Sequence, residues 1–348
     1  MPTSEWATEA KRAGDMKRHV PVTLLIVALA AGLVAPLATG ASTPGFYVEV
    51  LLGGLMAGVL YSLVALGFVL IFKASGVFNF AQGAMVLFAA LSVARMAEVM
   101  PLWVAVPLGI GIMVLLAIVV ERLVLRPLVN QEGVVLLMAT LGVSYFLDGF
   151  GQSVWGSDIY EINLGLSKAP VMILSGVFKG GILINKDDVA AAVVAVLLVG
   201  ALALFFQKTA TGRALRAVAD DHQAAQSVGI PLNRIWVIVW SVAGVVAVVA
   251  GMVWGSKLGV QFSISQVALK ALPVVILGGF TSIPGAILGG LIIGVGEKMA
   301  EIFLSPVLIK AFDLAGGGIE NWFAYVLALL FLLVRPEGLF GERRIDRV

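Results

Sequence analysis

The chain has 348 residues, 60% of them hydrophobic and 13% charged, with 23 Lys and Arg against 21 Asp and Glu and a formal net charge of +2. Soluble domains carry roughly 25% charged residues, and so few charges cannot cover so apolar a core with a wet surface; a soluble enzyme, a nucleic-acid binder and a disordered chain are excluded. The sequence holds no cysteine, which removes disulfides, thiolate metal sites and cysteine nucleophiles, and its two histidines, His19 and His222, are too few and too far apart for a zinc site or a histidine-based triad.

What remains is a polytopic membrane protein, an all-α helix bundle of about 8–10 transmembrane segments, each needing about 20 apolar residues to span. Residues 1–20 form a basic tail with Lys11, Arg12, Lys17 and Arg18. The apolar stretch 21–41 ends in Ala38-Thr39-Gly40-Ala41, which resembles a signal-peptide cleavage site. The stretch is longer than the usual signal core, so it reads as a retained extra first helix. Further segments follow at 47–72, 77–94, 101–120 and 133–150, then a long loop over 151–187 containing Trp155 and Tyr160. After segment 188–206 comes a second long loop, 207–234, which reads as two short helices. Segments 235–254, 267–280, 284–303 and 319–334 complete a transmembrane domain over 47–334, and 335–348 is a tail. The 267–280 segment is short and carries Lys270 and Pro273, the mark of a broken or re-entrant helix packed against protein. The segment opening near Asn79 is the other doubtful crossing.

With the N-terminus inside, the inner segments hold 15 Lys and Arg and the outer ones 6. This bias places both termini and the 207–234 loop in the cytoplasm, and the 151–187 loop outside. Residues 76–84 and 278–286 align at an offset of 202, sharing glycines at both ends and a Phe at 78 and 280. Repeats of the same orientation imply two parallel halves related by an axis along the membrane normal.

Several residues are candidates for function. Asn79 and Gln82 lie three apart at a helix start, able either to line a path or to cap and bond between helices. Lys270 is the sharpest single residue, because an ionised lysine at mid-bilayer costs on the order of 2.5–3.5 kcal/mol. It faces either the bundle interior, where it could meet a carboxylate, or the interface by snorkelling. Glu297 and Glu301, beside Lys298, read as the outer end of a helix, as does Asp148. The pairs Gly285/Gly289 and Gly290/Gly294 have the small-xxx-small spacing of close helix packing. In the 207–234 loop, Asp220 or Asp221 can cap a short helix that Gly229 ends and Pro231 prevents from continuing. Ala224, Ala225 and Val228 would then give it a small face able to sit in another protein's groove.

The stretch from Ala219 through Ile230 resembles the cytoplasmic loop of ABC importer permeases, in which an Ala-Ala pair precedes a glycine. More specifically, the chain resembles permeases of branched-chain amino-acid ABC importers over about residues 48–341. The match is carried by 54–67, with Gly54, Gly58, Tyr61, Ser62 and Gly67; by 76–83; by Thr211-Gly212-Arg213 through Gly229-Ile230; by 269–286; and by the closing Arg335-Pro336-Glu337-Gly338-Leu339-Phe340-Gly341. The resemblance implies a transmembrane permease subunit taking up branched-chain or related amino acids, or similar small amide or carboxylate solutes, by alternating access. Its implied partners are a second permease, two cytoplasmic ABC ATPases, an external solute-binding protein and the lipid of a bacterial inner membrane. The 220–229 helix becomes the coupling helix, with Arg213, Arg216, Asp220, Asp221, Ala224, Ala225, Gly229 and Ile230 as its contacts. Tyr61, Ser62, Asn79, Gln82 and Lys270 are the substrate-path candidates. The sequence contains no Gly-x4-Gly-Lys-Ser/Thr phosphate loop, so the chain is expected to be no enzyme and to hold no cofactor. A self-contained secondary transporter or channel is the alternative; it would place ionisable relay residues deep in the membrane.

Overall fold

The computed structural model describes residues 43–341, apart from 129–130, 166–168, 179, 221 and 314–317. The basic tail, the 21–41 segment and the end of the C-terminal tail lie outside the described residues. Within them, the chain is helical almost throughout. Helix α1 (Pro44–Ser75) has 32 residues, more than the bilayer's hydrocarbon requires. The Thr43 hydroxyl accepts from Phe46 N and Pro44 occupies its first turn; it stops at Gly76, whose φ of +70° is left-handed backbone that suits glycine. Then come α2 (Gln82–Val99), α3 (Leu102–Val120) and α4 (Gly133–Trp155). Strands β1 (Pro170–Ile173) and β2 (Ile182–Asn185) make an antiparallel hairpin, an addition to the all-α expectation. The chain continues through α5 (Lys186–Lys208), α6 (Ala210–Asp220), α7 (His222–Ser227) and α8 (Leu232–Leu258). It closes with α9 (Val267–Gly278), α10 (Ile283–Met299), α11 (Ser305–Phe312) and α12 (Ile319–Val334).

Six of these helices are long and apolar enough to span a bilayer: α1, α2, α3 with its extension to Leu128, α4, α5 and α8. The stretches Phe262–Gly278 and Ile283–Phe312 pass the same test only together, bent by 116°. The break expected around Lys270 is therefore real. It falls after α9, at Gly279, where φ is +103°, while the 3-10 turn over Phe262–Gln266 runs on into α9. The doubtful crossing at Asn79 starts later than expected, because residues 76–81 form a turn and α2 begins at Gln82.

Helices α1 and α2 form the centre, with 72% of their most apolar stretches buried, against 22% for α4. Composition does not distinguish them, since all are apolar; the glycines do. A Cβ on Gly58 would lie 2.6 Å from the Gly290 carbonyl oxygen, and one on Gly294 would lie 2.3 Å from Gly58 N. Glycine at these positions lets α1 and α10 meet backbone to backbone. Gly285 and Gly289 do the same toward α9, their Cβ positions meeting the carbonyls of Gly278 and Val274. The motif over 335–341 turns back on α9: Leu339 N and Phe340 N donate to Leu277 O and Gly278 O, supplying carbonyls that the helix end leaves open.

The two aligned stretches meet in space. Phe78 and Phe280, equivalent at the offset of 202, stack edge to face at 6.3 Å, and Lys73 Nζ donates to Thr281 O. We call this end, which also carries the 207–234 loop, the loop end. The opposite hairpin end carries β1 and β2, whose Leu183 N donates to Glu49 on the first turns of α1. There the loop strand at Tyr160 pairs with Val260, and the Arg95 guanidinium lies 4.9 Å over the Tyr160 ring.

Candidate functional site

The path candidates separate into three places. Ser62 sits in the α1–α10 seam, its hydroxyl 2.8 Å from Gly58 O and 3.1 Å from Ile287 O, and is fully buried. Asn79 and Gln82 are also fully buried. The Asn79 carboxamide oxygen accepts from Ala81 N at 3.0 Å and so shapes the turn into α2. Its Nδ2 lies 3.5 Å from Gln82 Oε1, while Gln82 Nε2 packs on Gly67 with no hydrogen-bond partner among the described residues. These two residues cap and pack; neither exposes surface to a channel within this chain.

Tyr61 and Lys270 meet on a third residue, Glu297. The Tyr61 hydroxyl donates to Glu297 Oε1 at 3.1 Å and Lys270 Nζ to the same oxygen at 3.0 Å. Glu297 is 9% exposed at its side chain and Lys270 37%. Three helices are joined here: α1 through Tyr61, α9 through Lys270 and α10 through Glu297. The bend of 116° between α9 and α10 makes the meeting possible, because it folds the two helices back toward each other and sets Lys270 beside Glu297. On the other side of Tyr61, the Trp254 ring of α8 stacks at 6.0 Å, and its indole N–H is buried without a hydrogen-bond partner among the described residues. Lys270 thus has a protein partner in Glu297 while part of its side chain stays open. Glu297 corrects the expectation that both carboxylates mark a helix end. Its partners lie on other helices, whereas Glu301 pairs with Lys298 on its own helix at 2.7 Å. One signal in the sequence points to this: Glu297 follows Gly290 and Gly294 by seven and three residues, on the face that the small-residue spacing buries.

The loop candidates fall on α6 and α7. Thr209 caps α6, its hydroxyl accepting from Gly212 N at 3.1 Å. Gly212 is required at this corner, because a Cβ there would lie 1.9 Å from Phe206 O. Arg216 reaches back to donate to Phe206 O at 2.6 Å and Arg213 to Lys208 O at 3.5 Å, and both side chains are exposed. Leu215 and Val218 are buried and hold α6 down. Asp220 is the last residue of α6, not the cap of the next helix, and Asp221 lies outside the described residues. Helix α7 ends in a Schellman arrangement: Ile230 N donates to Ala225 O at 3.0 Å, Gly229 N to Gln226 O at 2.9 Å, and Gly229 has φ of +86°. Ala225 is buried, whereas Ala224 is exposed and Val228 is 76% exposed. The outward face of this helix is therefore Ala224 and Val228, with Ala225 anchoring it from within. No group of three or more His, Cys, Asp or Glu side chains that could hold a metal occurs among the described residues.

Comparison with known proteins agrees with this architecture. Residues 50–335 match the family model described as the permease component of branched-chain amino acid transport systems. The high-affinity branched-chain amino acid transport permease LivH of Escherichia coli K12 is 27% identical over 315 residues, covering 87% of this chain and 98% of its own length. BraD, the corresponding permease of Pseudomonas aeruginosa, is 30% identical over 320 residues with the same coverage, and a probable LivH of Methanocaldococcus jannaschii is 29% identical over 302 residues, covering 84% and 92%. The chain belongs to the branched-chain amino acid transport permease family.

Proposed function

We propose that this permease is one transmembrane subunit of an ATP-driven importer of branched-chain amino acids, paired with a second permease and worked by two ATPases on the loop side. The observation that carries the reading is the 207–234 loop. Two short helices are held to the bundle by Leu215, Val218 and Ala225, and they present Arg213, Ala224 and Val228 outward. An exposed valine at the tip of a polar loop has no use within this chain and suits an apolar groove on another protein. The absence of a phosphate loop from the sequence puts ATP hydrolysis on that other protein. The excess of Lys and Arg on the loop side sets that side in the cytoplasm and both termini with it, in a multi-pass inner-membrane topology. A solute-binding protein would deliver its cargo at the hairpin end.

In this reading ATP binding closes the ATPase pair, pushes α7 and opens the bundle outward; hydrolysis resets it inward. Such coupling needs two states of the bundle that ATP and solute bind differently. The rigid corner at Gly212 and the Arg216–Phe206 contact tie α6 to the end of α5, so a push on α7 reaches a spanning helix.

The test is Val228→Glu, which alters the exposed tip alone, set beside Gly229→Arg, which also strains left-handed backbone. Both chains are expected in the membrane at normal amounts. The first is expected to lose ATP-dependent import and the second to lose the bound ATPase as well. Normal import by Val228→Glu would remove the coupling role from α7, and solute movement by the chain alone in liposomes without ATP would replace the importer with a self-contained transporter.

A further inference from the structure

We infer that the Lys270–Glu297 pair, with Tyr61 and Trp254 beside it, is the point at which the transported solute is recognised within the permease, and that it selects a zwitterion. The inference rests on the importer reading above and assigns the recognition of its solute to named residues.

Depth is the first observation. Tyr61 lies about 21 Å from the loop end of α1 at ~1.5 Å per residue, well inside the bilayer. A charged pair at that depth is costly and has to face protein or a water-filled path. Glu297 faces protein, but the Lys270 side chain keeps 37% of its surface open on the outside of the single chain. Lipid cannot satisfy that edge, which calls for water or a polar partner from outside this chain.

The second observation is the state of the donors and acceptors. Lys270 and Tyr61 converge on one oxygen, Oε1, and leave Glu297 Oε2 free of both bonds. An ammonium has three donors, of which Lys270 uses one here. The buried Trp254 N–H, on the ring stacked against Tyr61, has no acceptor among the described residues. Unused donors of this kind call for an acceptor-rich partner.

An α-amino acid carries its carboxylate and ammonium on a single carbon, at about the spacing of two side chains already in ion contact. Its carboxylate can take Lys270 while its ammonium takes Glu297, so that two ion pairs replace one and no charge is left alone. A solute with only one of these charges would break the pair and leave the other member uncompensated. The site therefore favours amino acids over the amides and simple carboxylates that the family resemblance leaves open.

A structural ion pair and a recognition site differ in what removing both charges does. Replacing both members of a buried pair with neutral residues is often harmless to stability. The experiment is import of labelled leucine into proteoliposomes by the complete importer with its binding protein and ATP, wild type against the double variant Lys270→Met/Glu297→Gln, with complex assembly followed by gel filtration. The double variant is expected to assemble and to lose import by about tenfold or more. Import within twofold of wild type would overturn the recognition site and leave the importer standing; failure of the wild-type complex to import with ATP would instead remove the importer reading. Should the double variant not assemble, Glu297→Asp keeps both charges and withdraws the carboxylate by one methylene. It is expected to raise the leucine-loaded binding protein needed for half-maximal import by about fivefold, and an unchanged value would equally overturn the site.

Discussion

Two charged pairs have their carboxylates one turn apart, Glu297 on α10 and Glu301 in the π turn that follows it, and they behave as different objects. Glu297 is buried and bonded from α1 and α9; Glu301 is 38% exposed and bonded only to Lys298, three residues before it. Both are carboxylates next to a lysine on an apolar helix. What separates them is which face of α10 meets a neighbour. The face of Gly290, Gly294 and Glu297 lies against α1, and the widening to a π turn over Ala300–Leu304 ends that register as Glu301 begins. A charge in this protein is worth what its surroundings withhold from it, and those surroundings are set by glycines on a different helix.

The contrast can be broken most severely by removing Glu297 alone. Glu297→Ala leaves Lys270 without its counter-charge and Tyr61 without its acceptor, and it is expected to destabilise the fold by about 3–5 kcal/mol, read as a fall in the detergent thermal-unfolding midpoint and in monodisperse yield. Next comes Gly294→Ala, whose Cβ would lie 2.3 Å from Gly58 N and force the helices apart. A loss of about 1–3 kcal/mol is expected. Gly296→Ala, two residues on and facing only the edge of the Phe323 ring, should stay close to wild type in the same assay. Tyr61→Phe keeps the stacking on Trp254 and deletes one bond to Glu297, for a cost of about 1 kcal/mol. Smallest of all, Lys298→Ala or Glu301→Ala removes a half-exposed pair within one helix and should move stability by less than about 0.5 kcal/mol. A Glu301→Ala effect as large as that of Glu297→Ala would erase the distinction between the two pairs.

Much of the site was legible from particular residues. Lys270 stood out because a lysine in an apolar run has to be paired or placed in water, and the shortness of its segment, with Pro273 in it, pointed to a break that the structure puts just after it, at Gly279. Gly229 and Pro231 announced the end of a short helix, and the hydrogen bonds of Ala225 and Gln226 with Ile230 and Gly229 form that end. Asn79 and Gln82 were visible as a polar pair, but their burial against Gly67 depends on how far the turn at 76–81 carries α2 back along α1, which no local spacing encodes. Glu297 was misjudged because a helix end and a helix–helix contact look alike along one strand of sequence. The hairpin over 170–185 escaped for a related reason: four-residue strands in a loop have no periodicity to read.

By itself the sequence determined that this is a polytopic helical membrane protein with a cytoplasm-type basic bias toward one side, because burying apolar side chains and satisfying every backbone group in lipid leaves helices as the answer for segments of this length. Its small-residue spacings determined which helices could touch. Only the tertiary structure decided which of them do, and hence which carboxylate receives Lys270. The partners of a buried charge come from helices earlier in the chain, one more than twenty residues before it and the other more than two hundred, and their meeting depends on backbones that approach closely where a glycine on each side allows it.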